Sequence, residues 1–141
     1  MLMKNLLFCL LAALTLGLAS CSTTKSAYGI GGEWDVVNLQ GKAITPEKDV
    51  TPYLGFDLNK GHLYGFTGCN RLTGSIDAQA LANGKADFSK TGCTRMMCPD
   101  SRYEGAFLQA LGEVKQSKMQ DGRTLLLLDK DGKTVITLRK R

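Results

Sequence analysis

The strongest constraint on this chain is the rhythm of its apolar residues. From Glu33 onward, short runs alternate apolar and polar residues, and most end at a turn signal. Alternation with period two places apolar side chains on one face of an extended strand. Glu33–Leu39 alternates and stops at Gln40-Gly41. Tyr53–Leu58 meets Asn59-Lys60-Gly61, and His62–Phe66 follows directly, which predicts a hairpin. Leu72–Ala78 predicts another strand, and the turn dipeptide Asn83-Gly84 precedes Lys85–Phe88. Thr124–Asp129 and Lys133–Leu138 flank Lys130-Asp131-Gly132 and predict a second hairpin. The period changes in one place, between Pro99 and Gly112. There Tyr103, Ala106, Phe107, Ala110 and Leu111 form a helical stripe. Ser101-x-x-Glu104 fits a capping box, and Gly112 fits a helix end. Glu113–Met119 returns to strand character. The pattern predicts a mostly β, α+β fold: an antiparallel meander of about eight strands with one helix near 100–111. Curling into a cracked β-barrel would hide the sheet edges, with the helix at one end or in the gap.

The N-terminus reads as an address. Lys4 precedes Leu6–Leu18, an apolar run of 13 residues. A bilayer-spanning helix needs about 20. Residues 1–20 are therefore expected to be a secretory signal peptide. The run ends Leu18-Ala19-Ser20-Cys21, which resembles the bacterial lipobox. That resemblance implies a diacylated Cys21 as the first mature residue and a membrane anchored through lipid, each buried CH₂ contributing about 0.8 kcal/mol. Ser22, rather than Asp, follows the cysteine, which favours the outer membrane of a bacterial envelope. Residues 21–32 are small, polar and glycine-rich and read as a flexible tether. Residues 33–141 are expected to form one folded domain.

Charge excludes one class of partner. The 18 Lys and Arg outweigh 13 Asp and Glu, for a net charge of +5. Lys4 leaves with the signal, Lys25 lies in the tether, and Arg139-Lys140-Arg141 ends the chain. The remainder is balanced, without the basic face of a nucleic-acid binder. The basic tail reads as a solvated C-terminus, with contact to anionic lipid as the alternative. A single histidine, His62, excludes multi-histidine metal sites. No motif pairs carboxylates for acid–base work, and no glycine-rich phosphate loop precedes a helix. Asp129-Lys130-Asp131-Gly132 lacks EF-hand spacing. The expectation is a protein that is not an enzyme and holds no metal or cofactor.

Two motifs in the middle of the chain point to a family. The first is Gly68-Cys69-Asn70-Arg71-Leu72-Thr73-Gly74. The second is Thr94-Arg95-Met96-Met97-Cys98, followed by Glu104-x-x-Phe107-x-x-x-Leu111, with Trp34 upstream. Together they resemble the META domain, the family of the heat-shock protein HslJ, over about Gly32–Leu138. The resemblance implies a bacterial envelope protein, often a lipoprotein, linked to heat shock and to novobiocin resistance. It also implies an antiparallel β fold with a helix, likened to the cracked barrel of type III secretion pilotins, which bind acyl chains and escort secretin subunits. The family supplies no catalytic residues. Its motif residues here are Gly68, Cys69, Asn70, Gly74, Thr94, Arg95, Met96, Met97, Cys98 and Glu104. Cys93 is a departure from the pattern.

Of five cysteines, Cys9 leaves with the signal and Cys21 is expected to carry lipid. An oxidising envelope favours one disulfide among the other three. The family motifs imply Cys69–Cys98, which leaves Cys93 over; Cys93–Cys98 is the alternative, closing a smaller loop. A thiol-redox role would need a reactive cysteine, and Cys98 precedes the predicted helix, where thiol pKa falls. No C-x-x-C supports it. Met96, Met97, Cys98, Cys93 and His62 include soft ligands for copper(I), but adjacent side chains on a strand diverge, so core packing is expected for the methionines. Gly68 and Asn70 bracket Cys69 in a tight turn, and Arg71 either faces a partner or pairs with a carboxylate. The expected function is a non-enzymatic envelope lipoprotein acting in envelope stress or antibiotic tolerance through an unknown protein partner. The alternative is an acyl-chain or hydrophobic-ligand carrier lined by Trp34, Phe56, Phe66, Phe88, Phe107 and Leu111. A thiol-redox protein is the second alternative.

Overall fold

The computed structural model describes residues 29–45, 47 and 51–141. The predicted signal peptide, Cys21 and the tether up to residue 28 lie outside the described residues. The strands are β1 Gly32–Leu39, β2 Lys42–Ala43, β3 Tyr53–Asp57, β4 His62–Phe66, β5 Arg71–Ser75, β6 Gly92–Cys93, β7 Gln116–Asp121, β8 Thr124–Leu128 and β9 Thr134–Lys140. Helix α1 spans Ala78–Ala82 and α2 spans Glu104–Glu113.

All nine strands join one antiparallel sheet in the order β6-β5-β4-β3-β1-β9-β8-β7, with β2 added to β1. Both predicted hairpins, β3–β4 and β8–β9, form around their turns. The first long strand and the last are neighbours in mid-sheet, with Val36 opposite Leu138 and a bulge before Asn38. The sheet does not close, because β6 and β7 are its two ends. A short segment reaches across to the β7 end: Ser117 donates to the Gly84 carbonyl (3.0 Å), and Ala86 donates to that of Lys115 (3.1 Å).

The core follows from the alternation. Leu125 and Leu127 of β8, Leu63 of β4, Trp34 and Val36 of β1, and Ile136 and Leu138 of β9 are buried in one cluster. Helix α2 lies on β9 and β1 and adds Phe107, Ala110, Leu111 and Val114. Ala106, also part of the predicted stripe, faces solvent. Ile30 belongs to the core too, and its carbonyl accepts from Trp34 Nε1 at 2.8 Å. The packed fold thus begins before Glu33, inside the expected tether.

The structure differs from the predicted elements around both helices, and Lys85–Phe88 forms no strand, only a bridge from Lys85 to Gln116. A second helix, α1, follows Asp77, whose carboxylate accepts from Ala80 N at 2.9 Å. Only Ala78 falls within the predicted strand Leu72–Ala78, and a helix of five residues with one buried side chain, Leu81, is too short to show a helical period. The long helix starts at Glu104, later than expected, and has no side-chain cap. Ser101 serves it only through its carbonyl, which accepts from Glu104 N at 3.1 Å. Gly112 lies within the helix, which stops when Val114 turns extended.

The basic tail is not a free, solvated end. Arg139 and Lys140 belong to β9, and the Lys140 ammonium sits 4.5 Å above the Trp34 ring and donates to the Gly31 carbonyl. Arg141 pairs with Asp35 (2.6 Å) and Glu33 (3.0 Å) and stacks 4.1 Å from the Tyr53 ring centre.

Candidate functional site

The turn from β4 to β5 is built by Thr67, Gly68, Cys69 and Asn70. Gly68 takes φ = 97°, which only glycine adopts without strain. The buried Thr67 hydroxyl accepts from Cys69 N (3.2 Å) and Asn70 N (2.8 Å), and Thr67 N donates to the Asn70 carbonyl (2.8 Å). This closed turn aims the Asn70 side chain inward, where it is 3% exposed.

Asn70 joins three parts of the fold. Its Oδ1 accepts from Met96 N (2.6 Å) and from the Thr94 hydroxyl (2.9 Å). Its Nδ2 donates to Glu104 Oε1 (2.8 Å) and to the Met96 carbonyl (3.2 Å), and lies 3.4 Å from Cys69 Sγ. The Thr94 hydroxyl in turn accepts from Arg71 N at 3.0 Å. Glu104 therefore faces Asn70 rather than closing a capping box. A disulfide joins Cys69 and Cys98, whose Cα atoms are 5.8 Å apart, as the motifs implied. The loop after β6 is thus tied to the turn by both a covalent bond and an asparagine.

Cys93 remains a half-buried thiol. Its Sγ donates toward Glu104 Oε1 at 3.7 Å. Burial foremost, and then the Glu104 charge, push this thiol above its ordinary pKa, while Arg95 pulls the other way. That is the reverse of a reactive, low-pKa redox cysteine.

Around these groups lies an open cleft of about 710 Å³, lined by Asn70, Cys93, Arg95, Met96, Glu104 and Leu108 among others. Met96 and Met97 are not core residues, contrary to expectation: Met96 is 58% exposed and Met97 fully so. Their loop is held outward by its own backbone bonds to Asn70, leaving the side chains in solvent. With Leu108 on α2, they are the large apolar side chains exposed among the described residues. The copper-like set does not assemble, since Cys98 is in the disulfide and His62 stacks on Tyr64 of β4. Among the described residues, no three His, Cys, Asp or Glu side chains are grouped to hold a metal. Gly74 lies close to the segment before β6, and a Cβ there would lie a tight 3.2 Å from the Lys90 carbonyl. Arg71 and Arg95 are exposed and form no ion pair among the described residues.

The META domain family model matches residues 27–141. The chain belongs to the META domain family. Among curated proteins, none matches it. Two solved structures have a similar fold. One is the NMR structure of a protein from Burkholderia xenovorans, 26% identical, with a TM-score of 0.57 over 82% of this chain and 86% of that one. The other is the crystal structure of a DUF4847 family protein from Bacteroides vulgatus, 18% identical, with a TM-score of 0.55 over 79% of this chain and 94% of that one. The latter is a likeness of fold.

In this META domain, the six residues considered as a ligand lining divide. Trp34, Phe56, Phe88, Phe107 and Leu111 pack in the core cluster, with Phe56 and Phe88 ring centres 5.9 Å apart. Phe66 is on the other face of β4, against Tyr53. Two residues of the candidate site, Thr67 and Leu108, carry only weak signals in the sequence. Thr67 had a local signal, a Thr followed by Gly-Cys-Asn, which fits a side-chain-stabilised turn. Leu108 had one too, as an apolar residue off the helical stripe.

Proposed function

We propose that this META domain is a non-enzymatic, lipid-anchored protein of the bacterial envelope. In this reading it binds a protein partner through the methionine loop, in envelope stress or antibiotic tolerance. One observation carries the proposal: Met96, Met97 and Leu108, exposed and apolar, lie at or beside a single cleft. Thioether side chains adapt to varied apolar surfaces. The disulfide and Asn70 hold their loop in place, so little ordering entropy is lost on binding. The lipobox-like Leu18-Ala19-Ser20-Cys21 supports the anchor.

A photocrosslinking residue at Met97 tests the partner role in intact cells. The expected result is an adduct of defined mass, absent when the probe sits at Lys133 in the opposite-strand turn and reduced by Met96→Asp. Equal adducts from both positions, or none from Met97, would overturn it. Cys21→Ser should abolish palmitate labelling and move the protein out of the membrane fraction; unchanged fractionation would refute the anchor. A lipid retained in native mass spectrometry would favour the carrier instead.

A further inference from the structure

We propose that Cys93 is the internal exchange partner of the Cys69–Cys98 disulfide, and that Glu104, which accepts from the Cys93 thiol, restrains the exchange. Two hydrogen-bonded atoms link the thiol to the Cys69 end of the disulfide. Cys93 Sγ is 3.7 Å from Glu104 Oε1, that oxygen is 2.8 Å from Asn70 Nδ2, and the nitrogen is 3.4 Å from Cys69 Sγ.

The chemistry balances without an outside oxidant. Cys93 loses its proton to water, and the thiolate attacks Cys98 Sγ. A Cys93–Cys98 bond forms as the Cys69–Cys98 bond breaks. Cys69 leaves as a thiolate and takes a proton from water. Attack at Cys98 is favoured over attack at Cys69 because the better leaving sulfur departs faster. Asn70 Nδ2, 3.4 Å from Cys69 Sγ, turns an N–H toward the departing thiolate once its bond to the Met96 carbonyl opens. Thr94–Met97 must contract to bring Cys93 and Cys98 together, which requires the Asn70 bonds to Thr94 and Met96 to open first, so the bonds that hold the loop also slow the exchange.

The attacking species is the thiolate. The charged groups facing Cys93 are Glu104 from α2 and Arg95 from its own loop. They act with opposite sign. The carboxylate keeps the thiol protonated and Arg95 favours its ionisation, so exchange is slow near neutrality and accelerates as the pH rises. The consequence for the methionine loop rests on the proposed function: exchange frees Cys69, releasing the loop from the β4–β5 turn and reshaping the surface offered to a partner.

The full chain, incubated under argon without added thiol, is acid-quenched, alkylated and mapped by mass spectrometry. Alkylation is expected on Cys93 at first. At pH 8.5 a Cys93–Cys98 linkage should grow in while alkylation shifts to Cys69, at a rate independent of protein concentration. Glu104→Gln keeps an oxygen acceptor for Asn70 and removes the charge, so the rate at pH 7.5 should rise about three- to tenfold. Arg95→Gln, at an exposed position, should slow it. Failure of the Cys93–Cys98 linkage to appear, a concentration-dependent rate, or a Glu104→Gln rate that falls or stays level would each overturn the proposal. The linkage map reads exchange and the Met97 photocrosslink reads partner binding, so either can fail alone.

Discussion

Asn70 uses both ends of its amide: Oδ1 accepts from Thr94 and Met96, and Nδ2 donates to Glu104 and the Met96 carbonyl. Removing it leaves Met96 N, the Thr94 hydroxyl and the Glu104 carboxylate without their partner. A buried group left unpaired costs about 1–3 kcal/mol, less where solvent can replace the partner. Thr94 and Met96 reach solvent, so Asn70→Ala is expected to lose about 2–3 kcal/mol in urea unfolding. Asn70→Asp discriminates further. It places a second carboxylate oxygen where Nδ2 now lies, 2.8 Å from Glu104. Two such groups cannot both ionise cheaply, so one holds its proton more tightly folded than unfolded. The variant's stability is then expected to be higher at pH 5 than at pH 7.5, lost as the pH rises and the pair is forced to ionise. An Asp variant with the same pH profile as Asn70→Ala would show that Glu104 does not face this position.

At the scale of elements, two glycines in one hairpin do different work. Gly55 of β3 lies opposite Tyr64 of β4, whose ring covers it; a Cβ there would sit 2.2 Å from the ring. Gly65 of β4 faces backbone instead, 2.4 Å from the Tyr53 carbonyl. Gly55→Ala and Gly65→Ala should each cost about 1–3 kcal/mol. In a Tyr64→Ala background the first cost should largely vanish, because a side chain has been removed from its path. The second should persist, because backbone cannot move aside. Urea unfolding of the double-mutant cycle measures both. The helix starts make a parallel contrast. Asp77 caps α1 through its carboxylate, so Asp77→Ala should cost about 1 kcal/mol. Ser101 caps α2 through its carbonyl, so Ser101→Ala should stay within about 0.5 kcal/mol of neutral.

For the whole molecule, the ordering of strands places β1 and β9 in mid-sheet, pairs β8 on both sides, and leaves the short β6 at one end. Local opening is easiest where few strands must part. Amide exchange is expected to be slowest in Val36, Leu125 and Leu138 and fastest in Gly92 and Cys93. Replacing Cys69 and Cys98 by Ala removes a cross-link spanning 29 residues, worth about 3 kcal/mol in the chain-entropy account. Thermal unfolding should show that loss, and the gain in exchange should concentrate in Thr67–Arg71 and Cys93–Pro99. A uniform gain over the sheet would mean that the disulfide braces the whole fold rather than the methionine loop.

The amino-acid sequence alone determined the features with local causes. Alternating residues assigned the faces of Trp34, Leu63, Leu125 and Leu127, and Asn59-Lys60-Gly61 and Lys130-Asp131-Gly132 placed two hairpins. The motif cysteines marked the bridged pair by resemblance. Tertiary structure decided what depends on partners distant in the chain. It set β1 beside β9, left the sheet open between β6 and β7, and turned Glu104 from its own helix start to Asn70. It also held Met96 and Met97 in solvent, where composition suggested core. Turn chemistry and side-chain alternation act over two to seven residues. A contact such as Asn70 to Glu104, 34 residues apart, exists only after the sheet and helix have packed, and then competes successfully with the local cap.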